Sequence, residues 1–226
     1  MKNKYKGSIG KPRELPVLID VDGVCADFVG SVCNYIENRF GIEIDQEKIY
    51  TDVREQANGL WDERCEDFIK QSGFAYEMID EIPGAVKAIQ EIMEEHPVMF
   101  VTSPYSGSAT WSHDRYMWLE ERFDIGRDDV IFCRDKRFIH GSTLIDDRWE
   151  NILDWSNWNN KCAVLFKQSW NQKELQEAGR LVTTFHGKNF TTTTSPPTRF
   201  HIVPCEYGGE STFFALNNWD VIKRIL

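Results

Sequence analysis

An α/β fold, with a parallel sheet covered by helices on both faces, is what the sequence predicts, and two observations predict it. First, five short apolar runs read as buried strands: LPVLID (15–20), PVMFVTS (97–103), DVIFC (129–133), STLIDD (142–147) and CAVLF (162–166). Second, segments with helical spacing lie among them, and strands interleaved with helices are the pattern of parallel crossover units. No internal repeat competes with this organisation.

After the first strand, FVGSVCNYIENRFG (28–41) places Phe28, Val32, Tyr35, Ile36 and Phe40 on one helical face, with Gly41 as the stop. Residues 45–82 are acidic, aromatic and predicted helical, without a strand. PGAVKAIQEIMEE (83–95) is predicted as a helix opened by Pro83 near its first turn, leading into the second strand. A tryptophan-rich helix is predicted at about 110–123, and NNWDVIKRIL (217–226) as a closing amphipathic helix packing Trp219, Val221, Ile222 and Leu226. The threonine-rich stretch 183–200, with two prolines, predicts a loop or an extended excursion.

The 226 residues suffice for one substantial core, or a core with a small accessory unit. A composition of 41% hydrophobic and 27% charged residues fits a soluble globular protein. No apolar run approaches the ~20 residues of a membrane span. The polar, basic start, residues 1–14, reads as an arm without a secretory h-region. A net charge of −10 disfavours a nucleic-acid polymer as partner, yet admits a small anionic substrate, because a metal ion and local cations can set the field of one pocket. Six scattered cysteines without a C-x-x-C pair read as small hydrophobes in a reducing compartment, so a cytoplasmic location is expected and a zinc site is not.

In open α/β sheets, ligands bind beyond the carboxyl ends of the strands. Here four segments carry chemically capable groups to that edge: Asp20 and Asp22 after the first strand, Thr102 and Ser103 after the second, Arg134 and Lys136 after the third, Asp146 and Asp147 at the fourth. Four clustered carboxylates require a cation, and hard oxygen donors point to Mg2+ bound together with substrate phosphate. The hydroxyls and the lysine suit phosphoryl oxygens, and one carboxylate can attack phosphorus while its neighbour moves the proton. Gly23 suits a bend close to a phosphate. Asp27 is expected to cap the first helix or hold the loop.

The ordered pieces DVDGVCADF, IPGAVKAI, FVTSP, DRYMWLEERF, RDK and LIDDR, spanning about residues 15–170, resemble the haloacid dehalogenase-like phosphohydrolases, and within them the 5'(3')-deoxyribonucleotidases. The resemblance implies a three-layer Rossmann-like core (15–29 and 83–226, with an extension at about 171–215 that it does not place) and a small helical cap over 30–82. It implies Asp20 as nucleophile, Asp22 as general acid and base, and Mg2+ held by Asp20, the Asp22 carbonyl and Asp147, with Asp146 beside it. Thr102, Ser103, Lys136 and Arg115 would bind phosphate. Phe28, Trp61, Phe74, Tyr76 and Arg134 would face the substrate, although the aromatics can equally be cap core. The expected reaction is hydrolysis of nucleoside monophosphates, with deoxyribonucleotides favoured. Sugar phosphates or other small phosphomonoesters are the alternative, ahead of a catalytically idle binding protein. No membrane partner is expected, a homodimer stays open, and base preference does not carry over.

Overall fold

A computed structural model of the chain describes residues 14–41, 43–46, 63–172, 200–204, 210–216 and 219–226. Its centre is a seven-stranded sheet in the order β3-β2-β1-β4-β5-β7-β6. The strands are β1 (Val17–Ile19), β2 (Val98–Thr102), β3 (Val130–Phe132), β4 (Thr143–Asp146), β5 (Ala163–Phe166), β6 (Phe200–Pro204) and β7 (Glu210–Leu216). β1 to β5 and β7 run parallel, and only β6 pairs antiparallel, at the edge beyond β7. The first five strands are the five apolar runs, shortened at their ends.

Alternation along β1 divides the molecule into layers. Val17 and Ile19 enter one apolar cluster with Ile89, Trp118 and Ile222, whereas Leu18 enters a second with Ile152 and Trp155. Helices α1 (Phe28–Phe40), α2 (Glu63–Lys70), α3 (Phe74–Glu77), α4 (Ala85–Glu95), α5 (Trp111–Phe123) and α7 (Trp219–Ile225) contribute to the first cluster, and α6 (Trp149–Asn159) to the second. Strands buried on both faces must be apolar throughout, which is why they stand out as uninterrupted runs.

Local signals set most boundaries. The Asp27 carboxylate accepts a 2.9 Å hydrogen bond from the Gly30 N–H and caps α1, so of its two expected roles it performs capping. Gly41 closes α1 in the left-handed region at φ 67°. α4 starts later than expected: Gly84 is its N-cap and Pro83 lies before the helix, because the Ala85 N–H first closes a turn onto the Ile82 carbonyl.

Two strands went unpredicted. β6 and β7 lie in the stretch without a counterpart, and they lengthen the sheet beyond β5; residues 183–199 of the expected excursion lie outside the described residues. Stacking joins α1 to α2 and α3: Tyr35 lies on Phe68 at 3.8 Å between ring centres, and Phe68 meets Phe74 edge-on at 4.9 Å. This aromatic group is tied to α5 where the Gly73 N–H and the Thr110 hydroxyl both donate to the buried Asp114 carboxylate. Cys25, Cys33 and Cys65 are buried and unbridged. Among the described residues no helix is long and apolar enough to cross a membrane.

Candidate active site

The sheet order reverses around β1: the chain goes from β1 to β2 on one side and later to β4 on the other. The carboxyl ends of these strands therefore open a crevice. Asp20 leaves β1 there, its N–H donating to the Ile145 carbonyl at 2.9 Å, which sets its carboxylate beside those of Asp146 and Asp147. Between them stands Lys136, 2% exposed, its Nζ 2.7 Å from Asp20 Oδ1 and 2.6 Å from Asp146 Oδ2. A cavity of about 470 Å³ opens at this group, lined by Asp20, Asp22, Thr102 and Asp147 and by the rings of Phe28, Tyr105, Trp111 and Trp149 among others.

Burial dominates the electrostatics. Desolvation pushes the Asp20 carboxyl up to about 7; Lys136 pulls against the rise, while Asp146 and Asp22 add to it. Asp147 is pushed well above the ordinary carboxylate range by burial and then by repulsion from Asp146 and Asp20, only partly offset by the Trp170 indole. Burial also raises Asp22, against the pull of Arg115 and Lys136. Burial alone would lower Lys136, but the two carboxylates it touches outweigh that and hold it above its usual value.

The donor set fits a hard divalent cation. Among the described residues, Asp20, Asp146 and Asp147 each offer a carboxylate oxygen within 4.8 Å of the others, all three buried. Asp146 is largely engaged already: Oδ1 accepts from the Arg148 N–H and Asn151 Nδ2, and Oδ2 from Lys136 and Asn151. Asp147 accepts only at Oδ2, from Trp170 Nε1 at 2.7 Å, which leaves its other oxygen without a protein donor among the described residues. Asp147 and Asp20 are thus the better-placed ligands, with Asp146 fixing the lysine and the loop.

The other residues singled out from sequence are dispersed unequally. Thr102 ends β2 and lines the cavity, buried, and its hydroxyl finds no partner among the described residues. Ser103, Arg134 and Phe28 line the cavity as well. Arg115 does not reach the cavity wall: it is fully buried, its Nη2 2.5 Å from Asp22 Oδ1, with Trp111 and Trp118 rings about it at 5.3 and 5.7 Å. Phe74 is 1% exposed inside the first core and Tyr76 packs against that core, so neither lines the cavity. Trp61 lies outside the described residues.

Sequence reasoning missed the exit of β5. There a short 3-10 turn, Ser169–Asn171, brings three side chains to the site. Gln168 Nε2 donates to the Gly23 carbonyl, Trp170 to Asp147, and Asn171 Nδ2 to the carbonyls of Asp147 and Phe166. The rule applied to the first four strands, that function gathers at their carboxyl ends, would have found this turn if extended to the fifth.

The fold is of the haloacid dehalogenase-like kind. The architecture is similar to that of a crystal structure from Burkholderia xenovorans LB400 described as a haloacid dehalogenase-like hydrolase, with a TM-score of 0.51 and 13% identity over 95% of this chain and 97% of that one. Residues 13–181 match the family model "5' nucleotidase, deoxy (Pyrimidine), cytosolic type C protein", and the chain belongs to that family. The mouse mitochondrial 5'(3')-deoxyribonucleotidase is 28% identical over 171 residues, covering 62% of this chain and 73% of its own. The human cytosolic-type 5'(3')-deoxyribonucleotidase is 29% identical over 164 residues, covering 62% and 80%.

Proposed function

We propose that the protein is a Mg2+-dependent phosphatase of nucleoside monophosphates, with 5'(3')-deoxyribonucleotides as its favoured substrates. One observation carries the reading: a single cavity is lined both by Asp20, Asp22, Thr102 and Asp147 and by the aromatic rings of Phe28, Tyr105 and Trp111. A phosphomonoester with an aromatic base matches both halves, whereas a sugar phosphate would leave the aromatic wall unused. The activities named for the mouse and human relatives agree with it.

When bound, Mg2+ held by Asp20, Asp147 and the Asp146 neighbourhood supplies positive charge to the phosphoryl oxygens. Asp20 attacks phosphorus, so that a bond from its carboxylate oxygen forms as the bond from phosphorus to the ester oxygen breaks. Asp22 gives its proton to the departing nucleoside oxygen; burial raises its carboxyl above the ordinary carboxylate range, the direction that favours holding a proton. Asp22 then takes a proton from water, whose oxygen attacks phosphorus, releasing phosphate and restoring Asp20. Thr102, whose buried hydroxyl has no partner among the described residues, offers a donor to a phosphoryl oxygen, and Arg134 and Arg148 add exposed cations to the cavity lining. Lys136 holds Asp20 in position and balances the charge behind it. The segment 30–82 serves as a cap in this reading, supported by Ile69 of α2, which lines the cavity together with Phe28 at the start of α1.

Phosphate release from the common ribo- and deoxyribonucleoside monophosphates and from simple sugar phosphates, with and without Mg2+, tests the proposal. Nucleotide-selective, Mg2+-dependent release is expected; equal turnover of sugar phosphates would overturn the substrate assignment.

A further inference from the structure

The turn after β5 does more than end a strand. Asp147 Oδ2 sits in a slot with two walls. One is Gly23, at φ +77°, where an added Cβ would come within 2.3 Å of that oxygen; the other is the Trp170 indole, whose Cζ2 would lie 3.1 Å from the same Cβ. The Trp170 N–H donates into the slot at 2.7 Å. Asn171, 3% exposed, pins the backbone carbonyl of Asp147, and Gln168 pins that of Gly23, so both walls are tied to one turn.

We infer that Trp170 is a positioning residue for the metal site: its indole N–H holds Asp147 Oδ2 and thereby presents the second oxygen of Asp147 to the divalent cation. The inference rests on the reading of Asp20, Asp146 and Asp147 as a cation site. Ligating carboxylates are oriented by hydrogen bonds from residues behind them, and losing such a donor typically weakens metal affinity about 10–100-fold. The ring also lines the cavity, so Trp170→Phe keeps an apolar wall while deleting the donor.

The test is Mg2+ binding to the full chain by calorimetry, without substrate. W170F is expected to raise the Mg2+ dissociation constant about 10–100-fold. Its unfolding midpoint in EDTA should stay near that of the wild type, and phosphate release should recover at saturating Mg2+. W170F that folds and binds Mg2+ as tightly as the wild type would overturn the inference. A wild type that binds no Mg2+ would instead overturn the cation-site reading, and the inference with it. If W170F does not fold, the wild type answers the question with 15N-labelled tryptophan. The Trp170 indole signal, assigned through its proximity to Gly23, is expected to move during Mg2+ titration. A signal unmoved at saturation overturns the inference.

Discussion

Lys136→Met removes the ammonium from the centre of the site and keeps the unbranched stem. In the native protein that ammonium lies within 2.7 Å of Asp20 and 2.6 Å of Asp146, and the lysine side chain is 2% exposed. Asp146 would keep the Arg148 N–H and Asn151 as donors, but Asp20 would lose the one cation that touches it among the described residues. Removing one partner of a buried pair costs about 3–5 kcal/mol, because a charge is left buried without compensation. At this chain length that corresponds to a fall in melting temperature of roughly 6–20 °C. The penalty should depend on pH in a definite sense. Burial raises the Asp20 carboxyl to about 7 with Lys136 present, and losing the lysine raises it further, so at pH 5 this carboxyl is protonated in the variant and the penalty from Asp20 falls away, leaving that from Asp146. Urea unfolding in EDTA at pH 5 and pH 7.5 measures both quantities. A variant within 1 kcal/mol of wild type at pH 7.5, or one equally weakened at both pH values, would refute the reasoning.

The metal-free wild type should itself become less stable as pH rises from about 4 to about 7, because Asp20, raised from 3.8 to about 7, and Asp147, raised in the same direction, hold protons in the folded state that the unfolded chain releases. The contribution of Lys136 stays intact through this window, since its raised value is lost only above the ordinary lysine range. Melting in EDTA at pH 5 and 7.5 checks the sign, and Mg2+ should restore the loss at pH 7.5. The two phenylalanines that meet edge-on at 6.1 Å should separate by function. Phe74→Ala, in the core, is expected to cost about 3–5 kcal/mol of stability. Phe28→Ala, on the cavity wall, should raise KM for nucleotides by an amount equivalent to the ~1–3 kcal/mol of a base stacked on an aromatic ring, and leave KM for a sugar phosphate near its starting value.

What was legible in the sequence follows from burial. β1, β2, β4 and β5 are largely buried, and half-buried β3 at the sheet edge is apolar too, so all five read as apolar runs, and the polar groups at their ends, Asp20, Thr102 and Asp146, mark the carboxyl edge. β6 and β7 join at the sheet margin, one of them antiparallel, and the pattern around them offered threonine and proline instead of a continuous apolar run. Aromatic content alone did not reveal which way a ring faces: Phe28 and Trp111 line the cavity, while Phe74, packed against both at 6.1 and 5.9 Å, belongs to the core. Arg115 carries no local sign that its helix face turns inward onto Asp22, 93 residues away along the chain. Trp170 and Gln168 acquire meaning only through contacts 23 and 145 residues distant, with Asp147 and Gly23.

The central claim is that Asp20 takes the phosphoryl group. Its most direct measurement is phosphate release from a deoxyribonucleoside monophosphate by wild type and by Asp20→Asn protein, at saturating Mg2+, with matched circular dichroism. The account predicts that the wild type turns over and that D20N loses activity by roughly 10³-fold or more. A folded D20N protein that keeps a tenth of the wild-type rate would contradict it.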